Sequence, residues 1–314
     1  MTSALGNAKS VTIFAPASVG NVGVGFDVLG HAIAGVGDTV TVNRCEAPGV
    51  RVTGISGVVT DLPDDERNTA AAAIKAMAQA LQLDSGFEIE IEKGISLGSG
   101  MGGSAASAAA AVFAVNMMLK IPLPTAELFP YALAGETAAS GDAHGDNVGP
   151  ALLGGLTISG PAANPRVVQV KMPNTLRCVL VHPNMKIETS ASRNELPDHF
   201  ERQKAVAQMA NLAAFLAGCF HRDLDLIEAS LQDLLIEHVR SPHIPGFNKV
   251  KAAALDHGAL GCSISGSGPS VFAWFKSESS SRQAAEAMVA AFKDEGLEAT
   301  SYISPINSPG ARPV

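Results

Sequence analysis

Apolar and charged residues alternate along Phe87–Lys93, FEIEIEK, with the two-residue period of a strand buried on one face. Short runs rich in β-branched residues predict three earlier strands: VTIFAP from Val11, DTVTVNR from Asp38 and VRVTGI from Val50. The period then changes. Asn68–Leu83, NTAAAAIKAMAQALQL, predicts a helix with a polar residue at its start, and Ser104–Leu119 predicts an alanine-rich one. Pro122 and Pro124 close that region, and a further helix is expected over Thr125–Ala139.

The stretch SGDAHGDNVGPALLGG, from Ser140, reads as a loop that leads into a short strand at Leu156–Ser159. Beyond Pro161–Arg166 come a strand at Arg177–His182 and helices around 200–220, 223–237, 247–257 and 283–295. A second glycine-rich turn with a strand after it, ALGCSISGSGPSVFAWF, starts at Ala259, and the tail SPINSPGARPV reads as loose. Strands and helices mix without strict β-α-β alternation. The expectation is an α+β chain of two domains, residues 1–162 and 163–314.

Bulk properties narrow the partners. A net charge of −8 repels nucleic acid and anionic lipid. The four cysteines, Cys45, Cys178, Cys219 and Cys262, contain no C-x-x-C pair, so neither zinc nor a disulfide framework is indicated. The start, MTSALGNAKSVTIFAP, has no apolar core behind a basic end, and the most apolar helix is too short to span a bilayer. These features suggest a cytoplasmic protein with no membrane partner.

The most distinctive chemistry lies at Ile95–Ala105, ISLGSGMGGSA. Gly98, Gly100 and Gly103 spell G-x-G-x-x-G, the dinucleotide fingerprint, but no second strand ending in an acid follows about 20 residues on. The P-loop pattern ends in Gly-Lys-Ser/Thr, and here Gly103, Ser104 and Ala105 supply no lysine. What remains is five glycines between Gly94 and Gly103, two hydroxyls (Ser99 and Ser104), and a helix whose first N–H groups face the loop. That combination favours phosphate binding over a bland connection.

Elsewhere the residues are less telling by themselves. Asn21 and Asp27 in NVGVGFDVLG fit ordinary turn chemistry. Glu136 could hold Mg²⁺ if it faces the loop. Asp142, His144 and Asp146 match no zinc or calcium spacing and read as a hydrogen-bonded loop. Arg193 and Arg240 would bind a carboxylate or phosphate if they met in a pocket.

Taken in order, APASVGNVGVGFDVLG, LGSGMGGSAAS and SISGSGPSVFA resemble the three motifs of the GHMP kinases, over a span from about Val11 to about Trp274. With SGDAHGDNVGPALLGG and EHVRSPHIPGF, the likeness is strongest to members that act on L-homoserine. The resemblance implies an N-terminal domain like ribosomal protein S5 domain 2 and a ferredoxin-like C-terminal domain. It also implies ATP-dependent phosphorylation of the homoserine side-chain hydroxyl, a step toward threonine, with ATP and Mg²⁺ as cofactors.

Carried over to this chain, the resemblance has Ile95, Ser96, Leu97, Gly98, Ser99, Gly100, Met101, Gly102, Gly103, Ser104 and Ala105 wrapping the phosphates of ATP. Asn68 lies toward the adenine, and Ser104 and Glu136 hold the Mg²⁺. Asn21 meets the substrate hydroxyl, Asp27 its ammonium, and Arg193 and Arg240 its carboxylate, with His144, Asn147 and Thr189 lining the pocket. Asn21, Glu136 and Arg193 form the catalytic set. Mevalonate-kinase-like members have an aspartate base where Asn147 stands, so the expectation is that no side chain acts as base, with neighbouring Asp146 the open point. A homodimer also stays open.

Overall fold

The computed structural model describes residues 4–65, 67–141, 145–160 and 166–314. His144 and the Pro161–Pro165 segment lie outside the described residues. The first sheet is built on β2 (Leu29–Cys45), which pairs antiparallel with β1 (Ser10–Gly20) on one edge. On its other edge lie β4 (Gly86–Lys93) and β5 (Leu156–Ile158). β3 (Val50–Gly57) runs parallel to β4, and β6 (Val168–Val170) extends the sheet from β5. In β4 the alternation holds as predicted: Phe87, Ile89 and Ile91 are buried.

Helices α1 (Thr69–Ala80), α2 (Gly103–Met117), α3 (Phe129–Ser140) and α4 (Gly145–Leu153) cover this sheet. α2 packs against β1, β2, α1, α3 and α4, so nearly all of its circumference is enclosed. Alanine is what that position demands, because larger side chains would push five neighbours apart. Asn68 caps α1: its side-chain oxygen accepts from the Ala70 amide at 3.0 Å.

The second sheet has four antiparallel strands: β7 (Arg177–Pro183), β8 (Gly261–Ile264), β9 (Val271–Phe275) and β10 (Ala299–Pro305) in the order β10-β7-β9-β8. Around it lie α5 (Thr189–Asn194), α6 (Arg202–His221), α7 (Leu224–Ser230), α8 (Glu237–Arg240), α9 (Phe247–Asp256) and α10 (Glu278–Lys293). Strand β11 (Arg312–Pro313) then returns to the first sheet beside β1.

Three sequence expectations change. The stretch from Gly145 is helix α4 rather than loop. Its Gly145, Gly149 and Pro150 weaken helix propensity, but burial decides, since a Cβ at Gly149 would come 2.6 Å from Thr157 Oγ1. The helix expected over 223–237 divides: α7 ends at Ser230, and the Asp233 carboxylate accepts from the amides of Leu235, Ile236 and Glu237, turning the chain before the short α8. The tail is not loose: Ile306 and Ser308 are buried, and Gly155 donates to Ser308 O at 2.8 Å. All four cysteines are free thiols, three of them buried, and burial pushes Cys219 and Cys262 up to about 12. Among the described residues no helix is long and apolar enough to cross a membrane.

One hydrophobic core runs from the first sheet into the second through Leu180, Phe215, Phe272 and Trp274, and a second, around Val179, Val181, Phe247, Phe275 and Phe292, fills the other face of the second sheet. At that junction Trp274 Nε1 donates to His31 Nε2 at 3.1 Å, both side chains fully buried. His31 must then carry its proton on Nδ1, which lies 3.1 Å from Ala32 O. Burial lowers the His31 pKa to about 4. The unfolded chain takes up this proton near pH 6.5 and the folded one only near 4. The stabilisation from neutral His31 is therefore complete above pH 6.5 and is lost as pH falls through that window. Denaturant unfolding at pH 7 and pH 4.5 should differ by up to about 3 kcal/mol from this group. In His31→Gln the part of the pH slope between 4 and 6.5 should shrink.

Candidate active site

Loops from the two sheets enclose one cleft of about 410 Å³, lined by residues 95–104 together with Asn21, Asp27, Glu136, Asp146, Asn147, Arg193 and Arg240. Its floor is the loop between β4 and α2. Four successive carbonyls of that loop are tied outward. Gly98 O accepts from Ile187 N at 2.9 Å, and Ser99 O from Ser270 Oγ at 2.6 Å. Gly100 O accepts from Ser265 Oγ at 2.7 Å, and Met101 O from Ser18 N at 3.0 Å. In a trans peptide the N–H points opposite to the C=O. Anchoring these oxygens in protein therefore turns the following amides toward the cleft.

Two glycines make this path possible. Gly100 (φ 73°) packs so closely on the Ser265 and Gly268 carbonyls that a Cβ would overlap them. Gly102 (φ 69°) does the same against Ser18 Oγ and Asn147. α2 starts directly after, and no side chain caps it. Its first amides and its dipole thus face the cleft, a site for an anion. At the loop's exit Ser104 Oγ donates to Glu136 Oε1 at 2.9 Å, and the Glu136 carboxylate, carried on α3, is buried.

The opposite end of the cleft is zwitterionic. The Asn21–Val28 turn holds Asn21 (φ 67°) and Asp27 (φ 56°) in the left-handed region that Asn and Asp tolerate. Asn21 is over-determined: its N–H donates to Asp146 Oδ2 at 2.9 Å, Nδ2 to Gly266 O at 2.9 Å, and Oδ1 accepts from Asp27 N at 3.0 Å. Arg193, on α5, grips Asp27 with two parallel bonds of 2.9 Å. Arg240, buried at the end of α8, donates to Gly266 O at 2.8 Å. Both guanidinium carbons lie over the Phe26 ring, at 5.7 and 5.4 Å. Burial and the neighbouring Arg193 charge lower the Arg240 pKa. A second guanidinium is thus held in the cleft, and among the described residues no carboxylate is its hydrogen-bond partner.

Among the described residues, the structure brings together all of the sequence-derived site residues but two. Thr189 is at the rim, 3.4 Å from Ser267 Oγ, and Asn147 Oδ1 accepts from Ser18 Oγ at 2.8 Å. Asn68 and Ala105 stay outside the lining, Asn68 spending its amide on the α1 cap and on Pro63 O. His144 is outside the described residues. Asp146 belongs to helix α4, and no cluster of three metal-ligating side chains exists among the described residues. Sequence reasoning missed Ser18, Phe26 and Ser267, although all three lie inside motifs quoted for their glycines. It also missed Gln208, which no local pattern marks. That side chain donates to Val24 O at 2.7 Å and accepts from Leu234 N at 2.9 Å, tying the Asp27 turn to the segment that carries Arg240.

A glycine-amide loop at a helix start, facing Asp27, Arg193 and Arg240 across one cleft, is an arrangement suited to a small-molecule kinase. The GHMP kinase N-terminal domain model matches residues 68–155, and the C-terminal domain model matches 209–294. The chain belongs to the GHMP kinase family. It is 51% identical over 305 residues to a homoserine kinase of Xanthomonas campestris pv. campestris, covering 97% of this chain and 94% of that protein. It is 42% identical to the homoserine kinase of Chlorobaculum tepidum over 97% of this chain and 98% of that one. The crystal structure of homoserine kinase from Cytophaga hutchinsonii superposes with a TM-score of 0.94 at 41% identity, covering 98% of each chain. A mevalonate kinase of L. major, at 17% identity and TM-score 0.66, shares the fold.

The loop geometry makes one substitution decisive. Gly100→Ala adds a Cβ where two carbonyls already press, at a φ that costs an L-residue about 1 kcal/mol or more. Calorimetry with ADP should show at least about a tenfold loss of affinity, the scale of roughly 1.4 kcal/mol. Thermal unfolding should stay cooperative.

Proposed function

We infer that the protein transfers the γ-phosphoryl group of ATP to the side-chain hydroxyl of L-homoserine, giving O-phospho-L-homoserine and ADP on the route to threonine. The observation that carries this reading is one cleft with glycine amides and an uncapped helix start at one end, and Asp27, Arg193 and Arg240 at the other. The first end suits phosphates. The second suits an amino acid, since neither mevalonate nor galactose offers an ammonium to Asp27. The homoserine kinases at 41–51% identity support the same acceptor.

Without substrate, Asp27 and Arg193 satisfy one another. L-homoserine carries one ammonium and one carboxylate, so it can replace that pair by two new ones with no change in net charge. Its carboxylate would gain Arg193 and Arg240, and its ammonium Asp27. Asn21 keeps one unused Nδ2–H beyond its bond to Gly266 O, and this is the group assigned to the substrate hydroxyl. Thr189, Asn147 and His144 complete the acceptor pocket in this reading, and Asn68 acts toward the adenine side by fixing the start of α1.

Mg²⁺ fits the other end. One carboxylate, Glu136, and one hydroxyl, Ser104, with phosphate oxygens and water filling the remaining positions, make a donor set suited to a hard octahedral cation. Such an ion would neutralise charge on the phosphates. The protein's own part is positioning. The loop amides hold the triphosphate, and the two arginines and Asp27 aim the hydroxyl at phosphorus. The hydroxyl oxygen forms the new P–O bond, the bond to the β-phosphate oxygen breaks, and ADP leaves with that electron pair. The hydroxyl proton passes to an oxygen of the transferred phosphoryl group. Asp146 has a positioning role in this reading: its oxygens accept from Asn21 N and Asn147 Nδ2 and so fix the turn that carries Asn21.

A coupled ADP-release assay with L-homoserine, D-homoserine, L-serine and mevalonate tests the acceptor. Strong preference for L-homoserine is expected, and turnover of mevalonate alone would overturn the reading. In the same assay Arg240→Ala should raise the homoserine KM roughly 10- to 100-fold, the worth of one or two charged hydrogen bonds, with the KM for ATP unchanged. Asp146→Asn should lower kcat by less than about tenfold. A loss of 10²–10⁴-fold at constant KM would make Asp146 the base.

A further inference from the structure

Beneath the phosphate loop, on the side away from the cleft, lies a closed charged network that the reaction outlined above does not use. Asp38, on β2, and Lys93, the last residue of β4, form an ion pair whose side chains are 0% and 3% exposed. Ser107, one turn into α2, completes it: Ser107 Oγ donates to Asp38 Oδ2 at 2.7 Å and accepts from Lys93 Nζ at 3.0 Å. Lys93 also donates to Gly103 O at 2.9 Å. The other carboxylate oxygen of Asp38 accepts from Gly94 N at 3.1 Å and Ile95 N at 3.2 Å.

Counting donors and acceptors shows what this network can do. An ammonium has three N–H donors, and those of Lys93 go to Asp38, Gly103 O and Ser107. A carboxylate has about four acceptor sites, and those of Asp38 go to Gly94, Ile95, Lys93 and Ser107. No donor on Lys93 is left to reach a phosphate. The partners are not scattered. Gly94 and Ile95 begin the loop, and Gly103 and Ser107 sit in the first turns of α2, where the loop ends. The loop's carbonyls are held from the outer side by β1, the segment after β7 and the β8–β9 turn, and its two feet are held together from below by this network.

We propose that Asp38, Lys93 and Ser107 form a clamp that sets the separation of the two ends of the phosphate loop, making all three positioning residues for the nucleotide. Lys93 acts through the loop backbone instead of touching ATP. The loop has no lysine of its own; Lys93, at its foot, is spent on shape, while its charge is cancelled by Asp38. A buried, fully satisfied polar network of this kind specifies one geometry more sharply than apolar packing would. The proposal rests on the reading of residues 95–105 as the ATP loop, and it holds whatever the acceptor alcohol is.

The test compares Ser107→Ala with the double variant Asp38→Asn/Lys93→Met. The first leaves the ion pair and removes the bridging hydroxyl. The second removes both charges together, avoiding the unpaired buried carboxylate that Lys93→Met would leave. Affinity for ADP is measured by calorimetry, KM for ATP and for homoserine by steady-state kinetics, and folding by thermal unfolding. Expected is a rise of about tenfold in the ADP Kd and ATP KM of the double variant, and a smaller one in Ser107→Ala. The homoserine KM should stay within about twofold of its original value. Unchanged ADP affinity in both folded variants would overturn the clamp alone. Parallel loss of ADP and homoserine binding in step with thermal stability would show a merely structural role and also overturn it. Absence of ADP binding in the unaltered protein would overturn the ATP-loop reading and the clamp together.

Discussion

The cleft depends on where four peptide carbonyls point. A loop of glycine and serine has no side-chain reason to offer its N–H groups to a ligand, and left alone it would satisfy them with water or with itself. Here the oxygens of Gly98, Ser99, Gly100 and Met101 are each bound by a partner from β1, from the segment after β7 or from the β8–β9 turn. The amides then have one direction left. The two halves of the molecule thus define the anion site by gripping its back, and the cleft cannot be assigned to either half alone.

This explains why the fold was easier to read than the site. Periodicity placed β4, α1, α2 and α10 close to their observed positions because each follows from local burial of one face or, in α2, of every face. Helix α4 escaped, since Gly145, Gly149 and Pro150 are loop residues by propensity and helical only because the surrounding packing leaves no room for a Cβ at Gly149. The tail was misread for a similar reason: SPINSPGARPV is punctuated like a loop, yet Ile306 fills the core and β11 pairs with β1.

The site divides the same way. Asn21, Asp27, Arg193 and Arg240 were found through the family resemblance, and the cleft unites them. What no pattern announced were the groups acting through others. Gln208 is one amide in a long helix, but it spans 184 residues of sequence to Val24 and 26 to Leu234. Lys93 ends a strand whose alternation puts it on the buried face with Phe87, Ile89 and Ile91, but the pattern does not name the partner that neutralises it there, Asp38 of β2. Such roles depend on contacts between distant segments, and a linear pattern does not carry them.

The pairing of Trp274 with His31 has a practical side. The chain has one tryptophan, so all indole emission comes from a ring locked between the two sheets and hydrogen-bonded to an imidazole of the opposite sheet. Any motion that opens the seam between the halves must alter the polarity around that ring. The molecule therefore contains its own optical gauge of domain closure. Substrate-driven movement can be followed by intrinsic fluorescence in the unmodified protein, with no dye attached and no side chain replaced.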